Sequence, residues 1–354
     1  MGHTVKLRST LAAAAASLAI TLTAHSQATA NLSKQGWYAD PEVRIFAGQY
    51  WIYPTSSSPD SDNAGKAFNP LQTKLRQGHV IHPVYLLHTS LDAFSSPDLV
   101  HWTKHKDVLD IKNVSWAAYA IWAPTAIHLN GKYYLFFAAN DIQKKDTFPG
   151  GIGVAVSDSP GGPFIDAIGK PLIGEFHEGA QPIDPFVMQD TDGSIYLYYG
   201  GQGHCVVARL APDLKSVIPM KDGAMFKEIT PEHYVEGPFV IKRNGTYYFM
   251  WSEGSWENET YGVAYAKSSS PTGPFTRIGK ILSTNPALAK GPGHHSVVQV
   301  PHTDDWYIVY HYHPIDTNGA NQRVMAIDRM TFDKQGNINP ITITKDGPGP
   351  RPLK

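Results

Sequence analysis

I-D-P-F-V-M-Q-D (183 to 190) and S-I-Y-L-Y-Y (194 to 199), joined by a turn that contains Gly193, form an apolar strand, a tight turn and an aromatic strand. That pattern is a β-hairpin. Four further pairs repeat it. The first strands are A-D-P-E-V-R-I-F (39 to 46), W-A-P-T-A-I-H-L (122 to 129), V-E-G-P-F-V-I-K (235 to 242) and H-H-S-V-V-Q-V-P (294 to 301). Their partners are Q-Y-W-I-Y-P (49 to 54), K-Y-Y-L-F-F (132 to 137), T-Y-Y-F-M-W (246 to 251) and D-W-Y-I-V-Y (305 to 310). Gly48, Gly131, Gly193 and Gly245 hold the turns of four pairs, and Asp304 and Asp305 that of the last. Third strands stand at 153 to 157, 206 to 210 and 262 to 267, and polar Ser/Pro-rich segments follow several of them. Repeats of this length with four strands each predict an all-β, five-bladed β-propeller.

The remainder of the chain fits one such unit. Lys6 and Arg8 precede an apolar run from Leu11 to about Leu22, and Ala28-Thr29-Ala30 offers small residues for cleavage, so residues 1 to 30 read as an export signal. The expectation is a secreted protein, extracellular or periplasmic, with a single propeller domain over 31 to 354 acting as a monomer. No apolar stretch reaches the ~20 residues of a membrane-spanning helix. Lys and Arg number 30 against 31 Asp and Glu, a net charge of −1, so nothing points to nucleic acid. One cysteine, Cys205, excludes an internal disulfide and is expected to be buried packing. Sequons stand at Asn31, Asn113, Asn244 and Asn258. A Ser/Pro/Asn/Gly-rich insertion from about Ser56 to Leu91 lengthens the first repeat and is expected over the active-site face.

In a propeller the innermost strands line one channel, so matching early positions of the repeats meet around an axis. Those positions are read as Asp40, Ala123, Asp184, Glu236 and His294 or His295. Three acids in one register do not serve a core, because buried carboxylates are costly unless paired or hydrogen-bonded. Glycosidic cleavage, by contrast, needs one carboxylic acid and one carboxylate, and a third acid can tune the pair. Trp122 stands where its ring could stack on a sugar, and Trp251, Trp256 and Phe68 are further candidates for a pocket wall. The 16 histidines show no H-E-x-x-H spacing, His311 and His313 alternate on one strand, and no G-x-S-x-G elbow appears.

The motifs A-D-P-E, W-A-P-T, I-D-P-F-V and Y-V-E-G-P-F, followed by G-P-G-H-H-S-V-V and Q-R-V-M-A-I-D-R-M-T-F-D, resemble glycoside hydrolase family 43 over about Trp37 to Thr344. The resemblance implies that Asp40 is the general base, Glu236 the general acid, and Asp184 the group that raises the pKa of Glu236 and orients it. It implies an inverting mechanism with base and acid ~6.5 to 9.5 Å apart. It also implies that Arg323 reaches the catalytic centre to bind the sugar or an acid, and a channel position for His294 beside a hydrated metal, commonly calcium; His295 could be a second channel residue that meets the substrate or a core histidine. The substrates implied are plant polysaccharides or their oligosaccharides, cut by an α-L-arabinofuranosidase, with β-D-xylosidase or another arabinan- or galactan-active glycosidase as the alternative. A catalytically silent carbohydrate-binding propeller is the alternative from another class. The insertion further suggests a closed pocket and exo action.

Overall fold

The computed structural model describes residues 1–2, 32–58, 85, 87–146 and 149–353. The leader, Phe68 and most of the insertion lie outside the described residues. Five antiparallel sheets follow one another along the chain. The first comprises β1 (Tyr38–Phe46), β2 (Gln49–Ser56), β3 (Ser90–Ser96) and β4 (Thr103–Asp110). The second comprises β5 (Ile121–Leu129), β6 (Lys132–Ala139), β7 (Gly151–Ser157) and β8 (Ile165–Asp166). In the third, β9 (Phe186–Gln189), β10 (Ile195–Tyr199) and β11 (Val206–Leu210) are followed by β12 (Val217–Ile218) and β13 (Phe226–Glu228), both paired to β11. The fourth has β14 (Glu236–Arg243), β15 (Thr246–Glu253), β16 (Gly262–Ser268) and β17 (Thr276–Leu282), and the fifth has β18 (Lys290–Gln299), β19 (Trp306–His313) and β20 (Val324–Met330). They form a five-bladed propeller, as expected, although among the described residues the fifth blade has three strands and the third has five.

The aromatic second strands hold neighbouring blades together. Their rings fill the space between sheets, as where Tyr198 meets Phe249 at 6.4 Å between centroids. Their hydroxyls also reach across: Tyr53 donates to the Pro160 carbonyl, Tyr198 to Pro271 and Tyr248 to Gly336. Each time the acceptor lies just beyond an outer strand of the next blade. Burial of the ring together with a satisfied hydroxyl accounts for Tyr at these three positions, whereas the buried hydroxyls of Tyr50 and Tyr199 have no partner among the described residues. Cys205 is buried and its thiol is pushed up by burial, in keeping with packing.

A second repeated feature faces the channel. Pairing of the first and second strands slips at Ala39/Glu42, Trp122/Thr125, Glu236/Phe239 and twice between Lys290 and Ser296. At these bulges, and at the corresponding place before β9, the backbone is left-handed: φ is +49° at Asp40, +43° at Ala123, +54° at Asp184, +64° at Gly237 and +40° at His294. A bulge leaves backbone groups outside the ladder, and these must be satisfied elsewhere. The preceding blade supplies the acceptor. Ala123 N–H donates to Thr55 Oγ1 (2.7 Å), Gly237 N–H to Asp184 Oδ2 (3.0 Å), His294 N–H to Ser252 Oγ (2.9 Å) and Asp40 N–H to His311 Nδ1 (3.1 Å). The last bond joins blade five to blade one. Tyr38 N–H to the Arg323 carbonyl (2.9 Å) and Val43 N–H to Ser296 Oγ (2.9 Å) complete that closure.

Candidate active site

A cavity of about 470 Å3 opens where these bulges converge, and Asp40, Asp184, Glu236 and His294 all line it. The volume falls within the roughly 300–1,000 Å3 typical of small-molecule sites. Left-handed backbone at a non-glycine residue is costly, and here it recurs at Asp40, Asp184 and His294, three residues whose side chains meet in the cavity.

The fourth repeat departs from the register read in the sequence. Its left-handed residue before proline is Gly237, so Glu236 matches Ala39, Trp122 and Ile183 rather than Asp40 and Asp184. Trp122, Ile183 and Glu236 nevertheless line the same cavity, so Glu236 approaches from a different backbone position than the two aspartates.

The surroundings of the three carboxyls differ. Asp40 Oδ1 lies 3.2 Å from His294 Nδ1, 3.4 Å from His311 Nδ1 and 3.7 Å from the Arg323 guanidinium. Burial pulls the Asp40 carboxyl upward, but these three neighbours outweigh it and hold the group well below the usual carboxylate range. Burial pushes Glu236 the other way, to about 7, with the charge of Asp40 adding to the rise and a hydrogen bond from Tyr261 (2.7 Å) opposing it. Burial and repulsion from Glu236 and Asp40 also raise Asp184 well above its ordinary value. Asp184 and Glu236 therefore hold at least one proton between them near neutral pH. Burial depresses His294 and takes His311 down to about 3, each against the opposing pull of Asp40.

Arg323 is clamped. Its Nε donates to Ser57 Oγ (3.1 Å), its guanidinium lies 5.0 Å from the Trp256 ring centre, and both Arg323 and Trp256 line the cavity. Trp122 lines it too, with its indole N–H on the Asn140 carbonyl (2.8 Å). Asp141, Gln143, Gln181 and Gln202 contribute a polar stretch, joined by Gln181 to Asp141 (3.0 Å), Gln143 to Asp141 (2.9 Å) and Gln202 to Gln143 (2.8 Å). These loop residues, like Tyr261 and Ser252, carry no motif and were not found in the sequence.

Two expected substrate contacts are placed elsewhere. Trp251 is fully buried among core residues including Phe249, because its position on β15 turns it between blades rather than into the cavity. His295 is buried against Phe239 at 5.7 Å and is not among the cavity-lining residues; the left-handed turn at His294 directs only the first histidine there. His294 thus faces the cavity and His295 the core. His294 Nδ1 is taken up by Asp40 and Asp184 (3.6 Å), and the Arg323 cation stands beside the same carboxylate, an arrangement that does not suit direct ligation of calcium. Both nitrogens of His295 lack a hydrogen-bond partner among the described residues.

The family model described as "Glycosyl hydrolases family 43" matches residues 79–338. The chain is 42% identical to a beta-D-galactofuranosidase (xynD) of Aspergillus niger, over 88% of this chain and 84% of that protein. It is 30% identical to xylosidase/arabinosidase 43A of Humicola insolens, over 85% and 95% respectively. Its fold is similar to that of a calcium-free GH43 beta-xylosidase/alpha-arabinofuranosidase from a compost metagenome in complex with xylotriose, with a TM-score of 0.69, 28% identity, and coverage of 90% of this chain and 98% of that one.

Proposed function

The chain belongs to glycosyl hydrolase family 43, and from that premise we propose that it is an inverting, exo-acting furanosidase that removes one terminal sugar at a time. The observation that carries the proposal is the opposed setting of two carboxyls in one cavity: Asp40 held ionised and Glu236 raised to about 7. An ionised carboxylate and a protonated acid are what a single displacement at an anomeric carbon requires. Asp40 takes a proton from water as the water oxygen bonds to the anomeric carbon. The glycosidic C–O bond breaks on the opposite face, and Glu236 protonates the departing oxygen. Asp184 fixes the backbone next to the acid through Gly237 N–H and keeps a proton in the Asp184/Glu236 pair. Arg323 and His294 keep Asp40 charged, while Trp122 and Trp256 offer ring faces to the sugar.

The glycone proposed is an α-L-arabinofuranosyl unit of a plant polysaccharide or oligosaccharide. The A. niger relative favours a second reading, β-D-galactofuranose. The two rings share configuration from C1 to C4 and differ only in the exocyclic carbons, so one set of ring contacts can serve both. A pyranose β-D-xyloside presents a different ring shape to those contacts. The leader pattern supports placing the enzyme outside the cell, and a calcium in the channel enters the proposal only as an ion held largely by waters beside His294.

Aryl α-L-arabinofuranoside, β-D-galactofuranoside and β-D-xyloside compared side by side test the substrate, with proton NMR at early times reading the product anomer. Faster xyloside turnover would refute the furanoside assignment. A product of retained configuration would refute the mechanism.

A further inference from the structure

His88 lies just before β3, and its backbone is fixed at both ends: its N–H donates to the Tyr85 carbonyl (3.3 Å) and its carbonyl accepts from Ile121 N–H (2.8 Å) at the start of β5. Its ring is only 2% exposed and lines the cavity that holds Asp40 and Arg323. Neither Nδ1 nor Nε2 has a hydrogen-bond partner among the described residues. The ring of Tyr85 stands edge-on to it at 6.0 Å and 85°, which limits how the imidazole can turn.

Buried polar atoms are nearly always hydrogen-bonded, and two unpaired nitrogens on one fixed ring facing a cavity are what a site awaiting a polar ligand leaves behind. A neutral imidazole carries one donor and one acceptor, and a sugar hydroxyl, or a neighbouring pair of them, can satisfy both. We propose that His88 determines specificity by binding ring hydroxyls of the terminal sugar, donating one hydrogen bond and accepting another. The inference rests on the furanosidase reading of the same cavity. Burial, with Arg323 adding to it, lowers the His88 pKa to about 3, so the ring stays neutral across the working pH range and does not compete with Glu236 as an acid. His295 provides the contrast: its nitrogens are also unpartnered among the described residues, but it does not line the cavity.

The test crosses variants with substrates. His88→Phe keeps a planar ring without polar atoms, and His88→Gln keeps one donor and one acceptor. Each is assayed with 4-nitrophenyl α-L-arabinofuranoside and with its 2-, 3- and 5-deoxy analogues, and thermal melts are recorded alongside. On the parent substrate His88→Phe should lose about 100-fold in kcat/KM, since a site built to bond a hydroxyl discriminates strongly against its loss. On the analogue that lacks the bonded hydroxyl, wild type and His88→Phe should differ by less than about 5-fold. His88→Gln should recover part of the loss, and if His88→Phe does not fold, His88→Gln carries the comparison alone through its substrate dependence. Equal losses on every substrate, or none on the parent, would overturn the role of His88 while leaving the furanosidase reading intact. A wild-type protein without activity on any aryl furanoside would overturn both.

Discussion

Two sets of neighbours around one cavity do opposite things to a carboxyl. On the side formed by blades five and one, Asp40 meets His294, His311 and the Arg323 guanidinium and is held ionised. On the side formed by blades three and four, Asp184 and Glu236 are buried within reach of each other's charge and are pushed up together. Burial raises all three carboxyls and Arg323 lowers all three, so what sets Asp40 apart is its pairing with His294 and His311. His294, whose Nδ1 lies 3.2 Å from Asp40 and 3.6 Å from Asp184, stands at the boundary between the two.

Removing either reacting group should break the contrast outright. Glu236→Gln and Asp40→Asn are each expected to lower kcat on natural glycosides by three or more orders of magnitude with little change in the thermal midpoint. Glu236→Gln should be partly masked on aryl glycosides with an acidic phenol, whose departure needs little protonation. Steady-state kinetics on both substrate types checks the assignment, and equal losses on the two would remove Glu236 from the acid role.

Arg323 is the next lever. It lowers the pKa of both Asp40 and Glu236, so Arg323→Leu raises both. Asp40 must be ionised and Glu236 protonated, so the acid and alkaline limbs of kcat/KM should both move to higher pH, with a loss of roughly 100-fold at the optimum. A profile that falls in height without moving would show that Arg323 only holds the sugar.

Much of this was legible in the chain because two signals are local. Alternation in Q-Y-W-I-Y-P or T-Y-Y-F-M-W marks a strand by itself, and φ at Gly48, Gly131, Gly193 and Gly245 is positive, between 73° and 83°, as the turns require. Asp-Pro placed Asp40 and Asp184 at the channel. Errors arose where one residue changes the face. Aligned on its proline, the fourth repeat puts Gly237 in register with Asp184, a signal present in E-G-P but overlooked in favour of the acid. His294 and His295 are adjacent, so the strand pattern left open which of them faces the channel and which the core. His88, Tyr261, Gln181 and Ser252 were not legible, because what each does depends on a residue in another blade or a distant segment.

Tyr261 offers a narrower test of the comparison. Its hydroxyl bonds Glu236 Oε1 and its ring stacks on His311 at 5.7 Å, so it touches both sides. That hydrogen bond favours the ionised form, and Tyr261→Phe should raise the Glu236 pKa further. The alkaline limb is expected to move up by about one pH unit, the equivalent of a bond of about 1.4 kcal/mol, while the acid limb stays. Movement of both limbs would show that the two sides are not separable.

The smallest effect belongs to the bonds that hold the two sides in register. Ser252 Oγ accepts from the His294 backbone N–H at 2.9 Å, and Ser252 is fully buried. Ser252→Ala leaves that N–H without its acceptor and should cost about 1–3 kcal/mol, visible as a lower midpoint in urea with an unchanged slope. Because the left-handed bulge at His294 depends on this bond, the variant should also loosen the histidine that stands between Asp40 and Asp184. Kinetics at low denaturant should then show a several-fold loss in kcat with KM little changed. Ser296→Ala removes the acceptor of another inter-blade bond, the one from the Val43 N–H, at a buried residue outside the cavity lining, and serves as the control: a similar loss of stability is expected, without the loss in kcat that Ser252→Ala shows. Equal kinetic effects from the two would mean that the ring of inter-blade bonds supports the cavity as a whole rather than the acids one by one.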